Sequence, residues 1–600
     1  MKDNKPTIEV ALYSLAFLLA MVMRLYQLGA ANLSEVEAGW ALQALGLARG
    51  GVVTLGPQPL YVLLTSLLFS IIKDTNFLAR FFPALVGSLI IWLPFCFRGW
   101  MRDSIWLHRA GVVMAFGLAL DPGLVSLSRQ AGSLMPALAF SLFALASIYN
   151  RRFVWVGVCA GLALLSGAAF LQSLLILGIS WGLYSLIRRR PVESDQEENS
   201  GEITPDAIPA ASIRVGVIAF LLTLLFVGSL FLRHPQGLGA LADTLSAYLK
   251  SWVSSSGIPI LRLPASLLVY QLIVVIFAIT GALRACFGHW DDRQSRLLMV
   301  GLSIWAIIAL LLPLLYSGRQ VGDMAWALIP LWALASTEIS RAFLLDEDMI
   351  TRLVAAGLGL FMLILAVVGW MNLLPMASGQ ETIIVLPIFG TQVNVVVNWV
   401  IIFGAFILAL VALLLVIAGW STQSAGLGII WSLCAVLGLF LISNAWGMSI
   451  VRQNGVQDLW SVAPSTGQAE QFITTLSDFS SWNTGLRDQL VVVSLADSSA
   501  LRWALRDYPN AHFEASLSTT ESPPVVITLK GSEEPKLAQN YRGQDFVWHL
   551  YPGWQGVFPP NFINWLAFRQ APLSEDQIIL WARSDIFPGG GTGTTGSAVP

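Results

Sequence analysis

Charged side chains are scarce in this sequence. Asp, Glu, Lys and Arg make up 12% of its 600 residues, against about 25% in soluble globular proteins. Hydrophobic residues make up 56%, and the mean hydropathy is +0.70. So few charges cannot coat a soluble body of this size, which excludes a soluble globular fold. The formal net charge of −2 gives no bulk attraction to nucleic acid, and we expect no nucleic-acid partner.

Cysteine and histidine are also rare. The four cysteines lie in or beside apolar runs without a CxxC pair, which indicates small buried side chains rather than a redox or metal site. The five histidines are too scattered to predict a zinc site. No glycine-rich phosphate loop, HExxH or GxSxG motif is present, so nucleotide, zinc and serine hydrolysis are not predicted. The sequence predicts no particular cofactor and does not decide whether the protein uses a divalent metal.

Long apolar runs dominate instead. Runs such as 9–28, 353–373 and 395–418 approach or exceed the roughly 20 residues that cross a bilayer. We predict a polytopic α-helical membrane protein of about thirteen transmembrane helices. The predicted spans are 9–28, 78–97, 110–127, 134–149, 153–168, 170–187, 213–232, 265–285, 298–316, 324–340, 353–373, 395–418 and 427–447. The run 59–72 is too short to cross the hydrocarbon core of about 30 Å and is predicted to lie in the outer leaflet.

Basic clusters in short loops orient these spans, because Lys and Arg favour the cytoplasmic side. The clusters are Arg98/Arg102/Arg109, Arg151/Arg152, Arg188/Arg189/Arg190 and Arg293/Arg296. Lys2 and Lys5 place the N-terminus inside as well, and an odd number of spans places the C-terminus outside. We therefore predict a multi-pass protein of the cell (plasma) membrane with a cytoplasmic N-terminus and an extracytoplasmic C-terminal domain.

Polar segments divide the chain further. The predicted units are a transmembrane domain (1–447) that contains an outer loop with juxtamembrane helices (29–77) and a disordered cytoplasmic linker (191–212), a small extracytoplasmic α/β domain (448–588) and a flexible tail (589–600). In the α/β domain, 490–495, 524–529 and 577–582 are predicted strands, and 499–509 is a predicted amphipathic helix.

Two carboxylates, Glu35 and Glu37, stand in "NLSEVEAGWALQAL" just after the first span. One interpretation is local: Asn32 or Ser34 caps a helix, and the acids lie near the positive end of its dipole. The other is functional, since a carboxylate beside a membrane is costly and calls for a reason. The helix start alone favours the local interpretation.

The order of the following motifs resembles the GT-C class of membrane glycosyltransferases, in particular the protein O-mannosyltransferase and aminoarabinose transferase group. That group has a first outer loop with an Asp-Glu pair, then Pro-Pro-Leu-Tyr, Ala-Arg-x-x-Pro-Ala-x-x-Gly and Ser-Arg-x-Ala stretches. This sequence has Glu37-Ala38-Gly39-Trp40-Ala41, Pro59-Leu60-Tyr61, Ala79-Arg80-Phe81-Phe82-Pro83-Ala84-Leu85-Val86-Gly87 and Ser128-Arg129-Gln130-Ala131. The resemblance is good over 9–150 and extends loosely through 300–340.

The resemblance implies a function. Such enzymes move a sugar from a polyprenyl-phosphate carrier to an acceptor at the outer membrane face, with inversion and a carboxylate base in the first outer loop. The implied bases are Glu35 and Glu37. The residues implied to bind the donor and its phosphate are Arg129, Arg319, Arg262, Arg80 and Tyr61. The lipid-linked sugar is then a co-substrate, and the partners are membrane lipids, an acceptor protein, lipid or glycan, and a possible membrane complex.

Three charged positions of the family pattern are apolar here, at Val36, Pro57 and Leu134. Two hypotheses follow. Either Glu35 or Glu37 still serves as the base, or the chain is a catalytically inactive membrane subunit that binds lipid-linked glycan or scaffolds a larger complex. A separate expectation concerns Arg319 and Asp323, whose spacing of four in a short outer loop indicates an ion pair between them.

Overall fold

The computed structural model describes most of the chain. The described residues are 5–99, 105–188, 209–288, 293–343, 348–388, 391–453, 455–461, 464–517, 521–531 and 537–587. The predicted flexible tail 589–600 lies outside them, and so does the predicted linker 191–212 apart from 209–212.

The described part of the N-terminal domain is helical, because apolar segments in a bilayer must pair their backbone groups internally. Its helices are α1 (Lys5–Leu25), α2 (Glu35–Ala48), α3 (Pro59–Ile71), α4 (Asn76–Leu89), α5 (Leu93–Cys96), α6 (Ile105–Leu120), α7 (Pro122–Ser128), α8 (Leu134–Tyr149), α9 (Phe153–Leu165), α10 (Ala168–Arg188), α11 (Ala210–Gly228), α12 (Gln236–Val253), α13 (Arg262–Tyr270), α14 (Leu272–Phe287), α15 (Arg293–Leu315), α16 (Ala325–Ala342), α17 (Met349–Ala377), α18 (Val397–Gly419) and α19 (Thr422–Trp446). A hairpin, β1 (Ile383–Ile388) and β2 (Thr391–Val396), joins α17 to α18.

Eight of the described helices are long and apolar enough to cross a membrane, and the number rises to ten if each of two bent helix pairs is one span. The bent pairs are α6 with α7, at 54°, and α13 with α14, at 97°. Three other predicted spans correspond to α8, α9 and α16, which do not belong to this set. The prediction of a polytopic helical membrane protein is confirmed. The number thirteen, and with it the orientation of the termini, stays a prediction.

Helix α16 occupies the centre of the transmembrane domain. Nearly all of its side chains are buried, and it packs against α6, α14 and α15. A helix that is buried on every side belongs to the core rather than to the lipid-facing surface. A short 3₁₀ turn, Val321–Met324, leads into α16 and packs against α13, α15 and α16.

The described C-terminal region folds around a six-stranded sheet, which confirms the predicted small α/β domain. Its elements are β3 (Ser465–Thr466), α20 (Ala469–Thr484), β4 (Val492–Ser494), α21 (Ser499–Ala504), β5 (Ala511–Phe513), β6 (Val525–Leu529), β7 (Tyr541–Pro552), α22 (Phe562–Phe568) and β8 (Leu573–Arg583). The strand order is β3-β7-β8-β6-β4-β5, in which β4 runs parallel to β5 and β6, and the other pairs are antiparallel.

The sheet domain and the segment 29–77 share one hydrophobic core. Buried side chains of α2, α3 and α21 pack together with those of β4 and β6. The Trp503 indole donates to the side-chain oxygen of Asn76 at 2.8 Å, and its ring lies 5.8 Å from that of Phe69. The C-terminal domain therefore rests directly on α2–α4.

Candidate active site

Helix α2 begins with a reciprocal cap. The Ser34 hydroxyl accepts the Glu37 N–H at 3.4 Å, and the Glu37 carboxylate accepts the Ser34 N–H at 3.0 Å. This capping box confirms the predicted helix start, with Ser34 as the cap. Two residues turn a helix by about 200°, so Glu35 and Glu37 face different surroundings.

Glu37 is buried against Arg80 of α4. The Nε and Nη2 atoms of Arg80 donate to Oε1 and Oε2 of Glu37 at 2.8 Å each, and the Ala131 N–H donates to Oε1 at 2.9 Å. Burial alone would raise the pKa of Glu37, but the Arg80 guanidinium and the N–H donors outweigh it and hold that pKa below its usual value. Each carboxylate oxygen thus accepts two hydrogen bonds.

Arg80 is occupied in the same way. Its remaining N–H groups donate to the carbonyl oxygens of Leu28, Ala31 and Asn32, in the loop that follows α1. All five donors of the guanidinium therefore have acceptors within the chain. The predicted role of Arg80 in binding phosphate stays a prediction, but its hydrogen bonds describe a residue that holds the loop after α1 on α4.

Glu35 faces the C-terminal domain. Its Oε1 lies 2.8 Å from Nε2 of His549 in β7, and the Ala500 N–H donates to Oε2 at 3.2 Å. Burial raises the pKa of Glu35, but the hydrogen bonds from His549, Ser498 and Ala500 together outweigh it and lower that pKa. Glu35 therefore connects α2 to the sheet domain.

A first cavity, of about 140 Å³, lies beside Glu37. Its wall contains Arg129, Arg452 and Asp458, together with Arg80 and Glu37. Arg452 also lines this cavity. Its Nη2 atom is buried and has no hydrogen-bond partner within the described chain. As a residue of the wall, Arg452 adds the positive charge of its guanidinium to the cavity.

Arg129 is the cation of this wall that no described carboxylate neutralises. Its Nη1 donates to the carbonyls of Met23, Arg24 and Tyr26 at the C-terminal end of α1, at 3.3, 3.1 and 2.8 Å. Burial, together with the neighbouring Arg80, lowers the pKa of Arg129 to about 10, so the side chain is still charged at neutral pH. The first cavity therefore carries net positive charge.

A second cavity, of about 400 Å³, shares Val36, Gln130 and Ala131 with the wall of the first. Its wall is aromatic and polar, and none of the described residues that line it is Lys, Arg or His. The aromatic residues are Trp40, Tyr248 and Tyr316, and the polar ones are Gln58, Gln130, Ser133, Ser166, Gln172, Gln320 and Asp323. The close approach of Gly167 to Pro57 shapes this wall: Gly167 has φ +91°, and a Cβ there would lie 2.1 Å from the Pro57 carbonyl oxygen.

Two buried polar groups of the second cavity have no partner in the described chain. They are Ser133 Oγ and Gln172 Nε2, on residues that are each 2% exposed. The other end of the Gln172 amide accepts the Tyr248 hydroxyl at 2.6 Å, which fixes the orientation of the side chain. Both residues therefore bring to this wall a polar group that lacks a described protein partner, which is unusual for buried groups.

Among the solved structures similar to this chain are two of ArnT from Cupriavidus metallidurans. The one bound to undecaprenyl phosphate is 16% identical over 84% of this chain and 85% of its own, with a TM-score of 0.48. The one in the apo state is 17% identical over the same shares, with a TM-score of 0.47. The chain is similar to ArnT. An Archaeoglobus fulgidus oligosaccharyltransferase, solved in complex with Zn and sulfate, is 12% identical over 86% of this chain and 67% of its own, with a TM-score of 0.41.

These matches confirm the predicted resemblance to the aminoarabinose transferase group. No family model matches the chain, and no curated protein matches it. At 12 to 17% identity the similarity carries no activity over to this chain.

The three positions at which this sequence departs from the family pattern meet in one place. Val36, Pro57 and Leu134 all line the second cavity, although they lie on three different segments. Val36 is 56% exposed in the wall between the two cavities. The apolar side chains line the space without filling it.

The remaining predicted residues lie elsewhere. Tyr61 is buried in α3 and donates to the Ala79 carbonyl at 2.7 Å, and neither Arg262 nor Arg319 lines either of the two cavities. The expected ion pair between Arg319 and Asp323 is wrong: Arg319 donates to the Ile258 carbonyl at 3.4 Å, and Asp323 accepts the Gln320 N–H. The two residues are not on one helix, since the 3₁₀ turn begins only at Val321.

Sequence reasoning missed two features of the site. One is the buried cluster of Asp458 with Arg452 and Arg569, which joins the segment after α19 to α22. The other is Gln172 in α10, whose sequence context reads only as apolar helix. No local sequence pattern predicts either feature, because both depend on segments that the fold brings together. Among the described residues, no group of three or more His, Cys, Asp or Glu side chains is placed to hold a metal ion.

Proposed function

We propose that this protein is a membrane glycosyltransferase that moves a sugar from a polyprenyl-phosphate carrier to an acceptor at the outer face of the membrane, with inversion. The observation that carries the proposal is a pair of adjoining cavities with different chemistry, one cationic and one aromatic and polar. A lipid-linked sugar needs this combination, because its phosphate is anionic and its sugar ring is neutral and rich in hydroxyl groups.

The first cavity suits the phosphate. Arg129 supplies a cation without a described carboxylate partner, and Arg452 supplies a second guanidinium in the same wall. Guanidinium groups bind phosphate oxygens through charge-assisted hydrogen bonds. The same groups stabilise the negative charge that develops as the phosphate leaves, which is where electrostatic catalysis acts.

The second cavity suits the sugar ring. Its volume of about 400 Å³ falls within the range of small-molecule sites, about 300 to 1,000 Å³. Trp40, Tyr248 and Tyr316 offer aromatic faces, and Ser133 and Gln172 offer unpaired polar groups. The shared wall at Val36, Gln130 and Ala131 then lies next to the bond between the sugar and the phosphate.

The predicted bases Glu35 and Glu37 remain predictions, and their contacts argue against the role. Glu35 lines neither cavity and is engaged by His549 and the Ala500 N–H. Glu37 lines the first cavity, but all four of its hydrogen bonds come from within the protein. A carboxylate whose pKa is lowered by such donors is a weak proton acceptor.

A second candidate function is a non-catalytic subunit that holds a lipid-linked glycan. The apolar Val36, Pro57 and Leu134 in the second cavity support it, because a transferase of this kind would be expected to carry charges there. The two candidates share the donor site and differ only in turnover. Transfer of a labelled sugar from polyprenyl-phosphate donors by the purified protein in nanodiscs separates them.

In that assay we expect the wild type and Glu35→Gln to transfer sugar at equal rates, because Glu35 contacts the sheet domain and not the cavities. His549→Gln, which removes the other half of the same contact, is the matched control and should behave alike. Binding of the donor without any transfer would establish the non-catalytic subunit. A loss of transfer in Glu35→Gln but not in His549→Gln would restore Glu35 as the base.

Arg129→Gln tests the phosphate site. Loss of a charged hydrogen bond to phosphate removes about 1.5 to 3 kcal/mol, so we expect donor binding to weaken by about 10- to 150-fold. Arg129→Lys keeps the charge and should bind the donor with an intermediate affinity. Titration with polyprenyl phosphate lacking the sugar measures both. Equal affinity in Arg129→Gln and wild type would remove Arg129 from the site.

A further inference from the structure

One carboxylate in the second cavity is unused by any interaction described so far. Asp323 lies in the 3₁₀ turn before α16 and lines the cavity together with Tyr248 and Tyr316. Its Oδ2 accepts the Gln320 N–H at 2.8 Å. No group of the described chain donates to Oδ1, so this oxygen is available to a ligand in the cavity.

Among the described residues, no cation forms an ion pair with this carboxylate. Arg319, four residues earlier, donates to the Ile258 carbonyl instead. Helix α13 packs against the same turn, but its Arg262 does not line the cavity. The titratable groups that face Asp323 are Tyr248 and Tyr316, and burial raises the pKa of the Tyr248 hydroxyl to about 12. Both tyrosines are therefore neutral near pH 7 and add no charge beside Asp323. The pKa of Asp323 is then set mainly by its burial.

Burial gives Asp323 the proton affinity of a base that works near neutrality. It raises the pKa of Asp323 to about 7, and the hydrogen bond from the Gln320 N–H opposes the shift only in part. A general base is most effective when its pKa lies near the operating pH, because it is then both ionised and a good proton acceptor. Glu35 and Glu37 have lowered pKa values and do not meet this condition.

The geometry points to Asp323 as the catalytic base of the transfer, taking the proton of an acceptor hydroxyl in the second cavity. This inference rests on the proposed glycosyltransferase function. It also explains how the chain can lack a carboxylate at Val36: the base stands on another wall of the same cavity, contributed by the turn before α16.

The step balances without a further reactant. The acceptor oxygen forms a bond to the anomeric carbon of the sugar while the bond from that carbon to the phosphate oxygen breaks. The hydroxyl proton passes to Oδ1 of Asp323, and the electron pair of the broken bond leaves with the polyprenyl phosphate in the cationic first cavity. Attack from the side opposite the phosphate gives inversion.

Two further residues of the second cavity would position the sugar and the acceptor. Ser133 Oγ and Gln172 Nε2 line the same cavity and have no partner within the described chain. Each can hydrogen-bond an oxygen of the sugar or the acceptor, so the attacking hydroxyl does not depend on Asp323 alone for its position. A loss of Asp323 should therefore affect turnover more than binding.

The test compares Asp323→Asn and Asp323→Glu with the wild type in the sugar-transfer assay. Asp243→Asn, on the exposed side of α12, is the matched control. We expect kcat to fall by about 10² to 10⁴-fold in Asp323→Asn, with the KM for the donor unchanged. Asp323→Glu should recover part of the rate, and Asp243→Asn should match the wild type.

The pH profile supplies a readout that a structural role would not change. A base must be ionised, so kcat/KM of the wild type should rise with pH through a midpoint near 7. Infrared difference spectra should show a carboxyl group that titrates in this range in the wild type and in Asp243→Asn, but not in Asp323→Asn.

The outcomes are distinct. Full activity in Asp323→Asn, or a wild-type profile without a midpoint near 7, overturns Asp323 as the base and leaves the transferase function standing. A wild type that transfers no sugar from any polyprenyl-phosphate donor overturns the function, and the assignment of Asp323 with it.

Discussion

Replacing Arg80 with methionine is expected to lower the free energy of unfolding by about 3 to 5 kcal/mol, the usual result of removing one partner of a buried ion pair. Methionine keeps much of the volume of the arginine stem but none of its donors. The carboxylate of Glu37 would then remain buried without a counter-ion. The carbonyls of Leu28, Ala31 and Asn32 would lose their donors as well.

The pH dependence of this loss identifies its cause. In the wild type, the pKa of Glu37 is lowered, so the stability that the pair contributes is present above the unfolded pKa and is lost as the pH falls. Without Arg80, only the N–H groups of Ser34 and Ala131 oppose burial, so the pKa of Glu37 rises and the buried charge becomes most costly at higher pH. Arg80→Met should therefore be less destabilised at pH 5 than at pH 8.

Thermal unfolding of the detergent-solubilised protein measures both effects. Arg49→Met is the matched control, because the Arg49 side chain is 55% exposed and its pair with Asp74 is worth at most about 1 kcal/mol. The double variant Arg80→Met, Glu37→Met should recover part of the stability, since it leaves no unpaired charge. A loss that is the same at pH 5 and pH 8 would show that packing, not charge, is what Arg80 contributes.

The parts of the fold that depend on local sequence could be predicted. Apolar runs of 20 residues have few alternatives to a spanning helix, and Ser34 followed by Glu37 forms the cap that its spacing indicates. Strand β7 was missed because it is polar along much of its length, and its pairing with β8 stabilises it from outside its own sequence. The local sequence pattern predicts a helix or strand only where tertiary contacts contribute little to its stability.

Only some of the residues that line the cavities were named from the sequence, and their contacts could not be predicted. Glu37 and Arg129 were named from the sequence and do line the first cavity. What Glu37 does is decided by Arg80, which is 43 residues away in the sequence, and no spacing rule links the two. Asp323 was expected to pair with Arg319 because a helical spacing was assumed, whereas the backbone there is a loop that enters a 3₁₀ turn. The role of a carboxylate follows from its donors, and those come from the tertiary fold.

The second large effect is expected at Asp458, which joins the membrane domain to the sheet domain. Its Oδ1 accepts the Tyr270 hydroxyl at 2.7 Å, and its Oδ2 accepts Nε of Arg452 at 3.2 Å. Arg569, 3% exposed, holds its Nε 4.0 Å from the same carboxylate and its guanidinium over the rings of Tyr270 and Trp565. Asp458 is thus the shared counter-charge of two arginines.

Asp458→Asn keeps the shape and removes the charge, so both arginines lose their counter-ion while one stays fully buried. We expect a loss of about 3 to 5 kcal/mol in the free energy of unfolding. Asp545→Asn, in an exposed pair with Lys530, is the control and should cost at most about 1 kcal/mol.

Donor binding should respond to Asp458→Asn in the opposite direction. Asp458 and Arg452 both line the first cavity, so removing this carboxylate makes the phosphate site more positive.

The protein that remains folded should therefore bind polyprenyl phosphate at least as tightly as the wild type, although it unfolds more readily. Unfolding and lipid titration on the same preparation separate the two effects. A parallel loss of stability and affinity would mean that the cavity wall collapses without Asp458, and would place this residue among those that shape the site rather than among those that tune its charge.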